Sequence, residues 1–216
     1  MKIIFTFLII ILLSITVKAQ EKTITRYFSI DSIEVSYEKF QKLRNSEKNM
    51  LAYFKNQNDT MFVKLVDRMI VGQISTLIVS QILAYFGNQK QSVDSKLPTV
   101  FQYFQGDDLC SRSAFGGLIT SWDKKDIELK TYLKKKYKIN FLNIKSNLSS
   151  TENRTNLPEN WINDKYSMLK KFFPYHYPCG SFIILKPNGE YYINYGEYGF
   201  LNVLKGLKKI KVENIK

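Results

Sequence analysis

The chain has 216 residues, of which 44% are hydrophobic and 24% are charged, and its net charge is +13. This composition is typical of a folded globular protein and excludes collagen-like and disordered chains. Two cysteines and one histidine exclude a multi-disulfide scaffold, a four-cysteine metal site and a zinc motif with two histidines. Glycine is scarce and forms no phosphate-binding or dinucleotide-binding motif, so we expect neither a cofactor nor a metal.

Residues 1–19 have the pattern of a secretory signal peptide. Lys2 precedes an apolar run that extends from Ile3 to Val17, and Val17 and Ala19 are small residues at a cleavage position before Gln20. An uncleaved membrane anchor is the alternative, but a span needs about 20 apolar residues and this run is shorter. The sequence therefore predicts an extracytoplasmic protein, secreted or periplasmic, without an integral membrane segment after cleavage.

Most of the positive charge is carried by lysine, since arginine accounts for five of the 32 basic residues. Arginine is the residue that reads bases and phosphates through paired hydrogen bonds, so we expect no nucleic-acid partner. Dense lysine patches at Lys134–Lys136 and Lys205–Lys211 could attract an acidic surface ligand. Solvated helix faces explain the same patches, and we favour that interpretation. The expected partner is thus an unknown protein or an acidic surface ligand.

Residues 20–97 are predicted to form a mainly helical N-terminal extension with short strands. The stretch from residue 23 to residue 35 alternates as one or two short strands do, and the pattern from residue 36 to residue 54 is weakly helical. A second predicted helix is capped by Ser75 or Thr76 and ends before Gly87. Between these elements, a buried helix ending at Gly72 is predicted from five apolar residues at helical spacing: Phe62, Leu65, Val66, Met69 and Ile70.

Residues 98–216 are predicted to alternate strands and helices. Strands are expected at 99–104, 139–144, 181–185 and 190–195, and the last two are joined by a Lys-Pro-Asn-Gly turn. A helix is expected before the second strand, with Tyr132 and Leu133 on one side, and a closing helix begins near Phe200. A further helix, ending before Pro174, is predicted from residues at helical spacing: Trp161, Ile162, Tyr166, Leu169 and Phe172.

This order of elements, together with the apolar strand Phe182–Leu185 and its Asn188-Gly189 turn, resembles the thioredoxin fold. The resemblance covers about half of the chain. It implies an α/β class: a three-layer α/β/α sandwich whose mixed sheet ends in a β-hairpin. Thioredoxin-like oxidoreductases carry Cys-x-x-Cys after the first strand, where the first thiolate attacks and the second resolves the mixed disulfide. Here Ser113, three residues after Cys110, occupies the position of the resolving cysteine.

The resemblance also places Cys110 and Cys179 on facing loops at one edge of the sheet. In an oxidising compartment two such cysteines are expected to pair. Three states stay open: a structural disulfide, which we favour, a redox-active pair, and two unpaired thiols. Acidic Asp107 and Asp108 favour the structural bridge because they raise the pKa of a neighbouring thiol.

Two function classes follow from these residues. The first is a non-catalytic thioredoxin-like binding or structural protein stabilised by one disulfide. The second is an extracytoplasmic thiol-disulfide oxidoreductase, with Cys110 and Cys179 as its candidate catalytic residues. His176 lies three residues before Cys179 and could activate that thiol, although a lone histidine is more often structural. The tyrosines from Tyr191 to Tyr198 could form a binding face, although sheet packing is the commoner role for tyrosines in a hairpin.

Overall fold

The computed structural model describes residues 24–45, 47–55, 60–89, 93–106, 128, 130–147, 161–177 and 180–212. The signal-like segment 1–19 and both cysteines lie outside these ranges. The described residues form an α/β structure with two mixed sheets, sheet A and sheet B, and four helices. No helix within them is long and apolar enough to cross a bilayer.

Sheet A contains four strands in the order β2-β1-β4-β3. Strand β1 pairs parallel with β4, and the other two pairs are antiparallel. Helix α1 begins after Ser36, whose Oγ accepts a hydrogen bond from the Lys39 N–H at 3.3 Å. Its residue Phe40 is buried with Val63 and Leu65 on one face of the sheet. The elements are β1 (Thr25–Phe28), β2 (Glu34–Val35), α1 (Tyr37–Leu43), β3 (Asn49–Lys55) and β4 (Met61–Asp67).

The buried helix predicted after residue 61 is wrong, and with it the expectation of a mainly helical extension. The region forms strand β4 and then strand β5 (Met69–Gln73). Both faces of β4 are partly buried, with Val63 and Leu65 under α1 and Val66 packed against the main core. A strand that buries both faces loses its period of two, and a short apolar run then imitates helical spacing.

Sheet B contains six strands in the order β5-β10-β9-β6-β7-β8. Strands β6, β7 and β8 are parallel to one another, whereas β9 is antiparallel to β6, and β10 is antiparallel to both β9 and β5. The remaining strands are β6 (Thr99–Phe104), β7 (Asn140–Ser146), β8 (Ile162–Asp164), β9 (Ser181–Leu185) and β10 (Glu190–Asn194).

Every residue of β9 is buried, because both faces of sheet B are covered. On one face, Ile183 and Leu185 join a core that includes residues of helix α2 (Thr76–Gly87). On the other face, Phe182 and Ile184 join a second core. A strand covered on both sides must be continuously apolar, which explains why this segment was the easiest to predict.

Helix α2 confirms its predicted start and packs on sheet B. The Ser75 Oγ accepts a hydrogen bond from the Ile78 N–H at 3.4 Å and caps the first turn. Phe86 packs against Phe101 of β6 with ring centroids 5.4 Å apart. Strand β5 and helix α2 therefore share one core with the strands that follow residue 98.

The second face of sheet B is covered by helix α3, residues 130–137, and helix α4 (Phe200–Lys209). Leu133 of α3 and Leu207 of α4 are fully buried in the same core. The lysines of the two dense patches lie mainly on the opposite, exposed sides of these helices. That placement is the one expected for solvated helix faces.

The helix predicted between residues 161 and 172 is also wrong. Strand β8 is followed by a turn and a 3₁₀ helix (Lys170–Phe172). The buried Asp164 carboxylate accepts hydrogen bonds from the Met168 N–H at 2.7 Å and the Leu169 N–H at 3.0 Å. These bonds satisfy backbone donors that a continuous helix would have used, and the chain turns there instead.

The predicted hairpin is confirmed. Strands β9 and β10 are joined by a turn in which the Gly189 N–H donates to the Lys186 oxygen at 2.9 Å. Gly189 has φ +89°, a backbone conformation that side chains other than glycine rarely adopt. The Asn-Gly pair was therefore a reliable turn signal.

Arg68 joins the two sheets. It is the single residue between β4 of sheet A and β5 of sheet B. Its N–H donates to the Lys48 oxygen at 2.9 Å, and its carbonyl oxygen accepts from the Tyr195 N–H at 2.8 Å. One nearly continuous segment thus takes part in both sheets.

Candidate functional site

A cleft of about 140 Å³ opens where β6 and β7 end. The carboxyl ends of parallel strands meet at one edge of a sheet, and ligands of α/β proteins commonly bind there. Among the residues that the structure describes, the lining is polar and aromatic and includes no carboxylate. It consists of Tyr103, Gln105, Ser146, Asn147, Ser167, Lys170, Phe173, Pro174, Tyr175 and His176.

The buried amide of Gln105 joins the end of β6 to the segment that precedes β9. Its Nε2 donates to the Tyr175 oxygen at 2.5 Å and to the Phe173 oxygen at 3.3 Å. Its Oε1 accepts from the Tyr177 N–H at 3.0 Å. Its own carbonyl oxygen accepts from the Ser146 Oγ at 3.0 Å, which adds β7 to the same network. The side chain and the backbone of this one residue thereby connect three segments of the cleft.

The predicted site residues Cys110 and Cys179 lie outside the described residues, as do Asp107 and Asp108. Described residues close to each cysteine in the chain lie near one another. Tyr103 of β6 pairs with Ser181 of β9, and a Cβ added at Gly180 would lie 3.2 Å from the Tyr103 oxygen.

His176 lines the cleft and forms a bridge with β3 of sheet A. Its carbonyl oxygen accepts from the Tyr53 N–H at 3.0 Å, and its N–H donates to the Tyr53 oxygen at 3.4 Å. The backbone of this residue therefore connects sheet A with the segment that precedes β9. Sequence spacing to Cys179 gave no sign of this structural role.

Tyr103 brings an uncharged phenol to the cleft. Burial, together with the nearby Asp164 carboxylate, raises the pKa of Tyr103 well above its ordinary value. Burial also raises the pKa of Asp164, although the backbone N–H groups of Leu169 and Met168 oppose that change. The Tyr103 ring stacks on Phe173 with centroids 4.5 Å apart, which holds it in place.

Two stacked tyrosines contact the segment that lines the cleft. The rings of Tyr177 and Tyr195 lie 4.1 Å apart, and the Tyr195 hydroxyl donates to the Phe172 oxygen at 2.9 Å. Burial raises the pKa of Tyr195 to about 12, so this donor keeps its proton at neutral pH. Tyr192 and Tyr195 are both buried, which favours the sheet-packing interpretation for these two members of the tyrosine run.

No protein-family model matches the chain, and neither a curated protein nor a solved structure is similar to it at a significant level. The chemistry of the cleft must therefore be argued from its own residues.

The lining offers hydrogen-bond donors, one cationic lysine and aromatic walls. Ser167 lies on the turn that follows β8 and has φ +54°, and Lys170 begins the 3₁₀ helix. The left-handed backbone conformation is strained for a residue other than glycine, and such strain concentrates at binding sites. Across the described ranges, no three His, Cys, Asp or Glu side chains converge on a metal position. The arrangement is suited to binding a small polar or anionic group.

Sequence reasoning missed Gln105, Ser167 and Lys170. Gln105 carried one usable signal, because it directly follows a strongly apolar strand. Ser167 and Lys170 were obscured by the incorrect helix, since their place at the cleft depends on the Asp164 turn.

Proposed function

We propose that this chain is an extracytoplasmic, thioredoxin-like binding protein without a Cys-x-x-Cys site, stabilised by a disulfide between Cys110 and Cys179. It binds its ligand or partner at the cleft lined by Gln105 and His176 and performs no turnover. The observation that carries this proposal is the Gln105 network, which holds the chain just before residue 107 against the chain just before residue 178.

The strand arrangement supports the thioredoxin-like part of the proposal. Four neighbouring strands of sheet B run β10-β9-β6-β7, with β6 and β7 parallel and β9 and β10 forming an antiparallel hairpin. A closing helix, α4, follows the hairpin. The thioredoxin fold has the same order: a parallel pair of strands, an antiparallel hairpin and a closing helix. Helices on both faces of sheet B support a three-layer arrangement.

A bridge at this position would close a loop of about 70 residues. In the chain-entropy model this constraint stabilises the folded protein by roughly 4 kcal/mol. Secretion supports formation of the bridge because extracytoplasmic compartments are oxidising. The absent resolving cysteine supports a structural role rather than a catalytic one.

The test compares Cys110→Ser, Cys179→Ser and the double variant with the mature wild type. We expect the molecular mass of the wild type to be lower than that of the dithiol form by two hydrogen atoms. We also expect its bridge to persist in millimolar glutathione. Each single variant should lose as much stability to denaturant as the double variant does, because each removes the same bond. Independent, additive losses, or free thiols in the wild type, would refute the bridge.

An oxidoreductase is the second candidate, and it is favoured by the cleft that Gln105 and His176 line, since these residues precede Cys110 and Cys179 closely in the sequence. In that reaction one thiolate attacks a substrate disulfide and releases a substrate thiolate. The second thiolate then attacks the mixed disulfide and releases the other substrate thiol. The enzyme is left with the Cys110–Cys179 bridge, oxidised by two electrons, while the substrate is reduced. A readily reduced bridge together with insulin-reducing activity, lost in Cys110→Ser, would establish this alternative over the binding protein.

A further inference from the structure

One face of sheet A is buried in the main core at one end and exposed at the other. On the face opposite α1, Ala52 and Val66 pack into the main core. Further along the same face, Phe54 of β3 is 38% exposed and Phe62 of β4 and Phe28 of β1 are partly exposed. These three aromatic side chains belong to none of the buried cores within the described residues. Large aromatic side chains in contact with one another at a surface are a common mark of an interaction site.

The exposed rings form a continuous row. The Phe54 and Phe62 rings stack 5.0 Å apart, and the Phe62 and Phe28 rings lie 5.8 Å apart. On the other side, Phe54 stacks on Tyr175 with centroids 5.7 Å apart. The Arg26 guanidinium lies over Phe62 at 5.8 Å and over Phe28 at 5.9 Å. We call Phe28, Phe62, Phe54 and Tyr175 the aromatic row.

The aromatic row leads directly into the candidate cleft, because Tyr175 belongs to both. The row offers apolar ring edges, while the cleft offers hydrogen-bond donors and Lys170. A ligand that covers both must therefore be long enough to leave one and enter the other. An extended polypeptide segment satisfies this requirement, since a few residues span the two regions.

The charges on this surface indicate an acidic occupant. Alternation along the described strands of sheet A places Arg26, Lys64 and Glu34 on the face that carries the row. Glu34 is the one carboxylate among those strand residues, and Arg26 forms an ion pair with it. Lys64 on this face and Lys170 in the cleft therefore leave an excess of positive charge among the described residues. A second copy of the chain is also strongly positive, so two such surfaces would repel each other.

We propose that the aromatic row and the cleft together dock an extended, acidic protein segment that carries aromatic or aliphatic side chains. The apolar side chains pack along the row, and a carboxylate enters the cleft near Lys170. This proposal rests on the binding function proposed above and names the chemistry of its partner. Aromatic and arginine residues dominate the energetics of most protein interfaces, which fits the composition of this surface.

The experiment measures binding of labelled peptides to the mature protein by fluorescence anisotropy. The probe is a 12-residue peptide of repeating Glu-Phe-Glu-Leu, and the comparison peptides repeat Lys-Phe-Lys-Leu and Glu-Ser-Glu-Ser. We expect binding of the first peptide alone, weakened by added salt because surface charge attraction is screened. Phe54→Ala should weaken this binding by about tenfold, which corresponds to the loss of one aromatic anchor.

The matched control is Tyr132→Ala on helix α3. Tyr132 is 42% exposed, similar to Phe54, but it lies on α3, the helix that packs on the other face of sheet B through Leu133. Its removal should leave peptide binding unchanged, and circular dichroism and thermal unfolding should show that both variants are folded. Binding that survives Phe54→Ala, equal binding of the lysine peptide, or no binding of any peptide would overturn the docking proposal.

Two further outcomes would assign the aromatic row to a different occupant and would also overturn the proposal. One is association with anionic phospholipid vesicles that Phe54→Ala abolishes while no peptide binds. The other is a dimer, seen by sedimentation, that the same substitution dissociates. The disulfide test does not depend on any of these binding experiments. A stable Cys110–Cys179 bridge with no peptide binding would therefore refute the docking proposal and leave the proposed disulfide standing.

Discussion

The Gln105 side chain accepts a hydrogen bond from the Tyr177 N–H at 3.0 Å, although 72 residues separate the two along the chain. The same amide donates to the oxygens of Phe173 and Tyr175. The Gln105 amide thus makes the hydrogen bonds to backbone groups that a neighbouring strand would otherwise make. One side chain therefore ties the segment from Phe173 to Tyr177 to the end of β6.

Replacing Gln105 should be costly for this reason. Gln105→Leu leaves buried backbone groups without partners, and we expect the free energy of unfolding to fall by about 3 kcal/mol. Chemical denaturation measures the change. Gln73→Leu is the control, because Gln73 is exposed and also donates to a carbonyl oxygen, that of Asn188 at 2.6 Å. Equal losses in the two variants would contradict the assigned role of Gln105.

Asp164 should make stability depend on pH in an unusual direction. Burial raises its folded-state pKa above the ordinary value of 3.8. The folded protein therefore binds this proton more tightly than the unfolded chain does. The contribution is fully present below pH 3.8 and is lost as the pH rises through the raised folded-state value.

The measurement is the unfolding free energy of the wild type and of Asp164→Asn between pH 3 and pH 7. Asparagine keeps one acceptor oxygen but has no proton to lose. We expect the stability advantage of the wild type over the variant to shrink as the pH rises through this window. A constant difference, or one that grows with pH, would show that the pKa of Asp164 is not raised.

Two helical glycines should respond to alanine with opposite signs. A Cβ at Gly206 of α4 would lie 2.6 Å from a Tyr192 ring carbon and 2.8 Å from an Ile184 side-chain carbon. Overpacking of this kind costs about 1–3 kcal/mol, so Gly206→Ala should lower the melting temperature. At Gly87 of α2 the nearest atom, in Val93, is 3.7 Å away, and alanine is the better helix former by up to about 1 kcal/mol.

Thermal unfolding of the two variants checks this pair. Gly87→Ala should match or exceed the wild-type melting temperature. An increase for Gly206→Ala would show that α4 moves away from β10 without loss.

The mature protein should begin at Gln20. Expression of the full chain in a secreting host, followed by intact mass and N-terminal peptide analysis, measures the processed end. A product that retains residues 1–19 and sediments with membranes would instead support the uncleaved anchor.

Local signals predicted parts of sheet B well. The hairpin was specified by Asn188-Gly189, and β9 by its continuous apolar run. The N-cap of α2 was likewise encoded locally, in Ser75.

Long-range contacts explain most of the errors. The sequence of β4 imitates helical spacing because its faces are buried by two different layers, α1 and the main core. The turn after β8 depends on the burial of Asp164, which spacing along the chain does not reveal. The cleft itself joins residues from 103 to 176, and the Gln105 bonds that shape it have no counterpart in any local pattern.

The position of Arg68 has a consequence for how the protein is made. Strand β5, which follows Arg68 directly, pairs with β10, whose residues lie about 120 positions later in the sequence. Sheet B therefore cannot be completed until nearly the whole chain has left the ribosome, and pairings between such distant segments form slowly. We therefore expect the pairing of β5 with β10 to be one of the last steps in the folding of the chain.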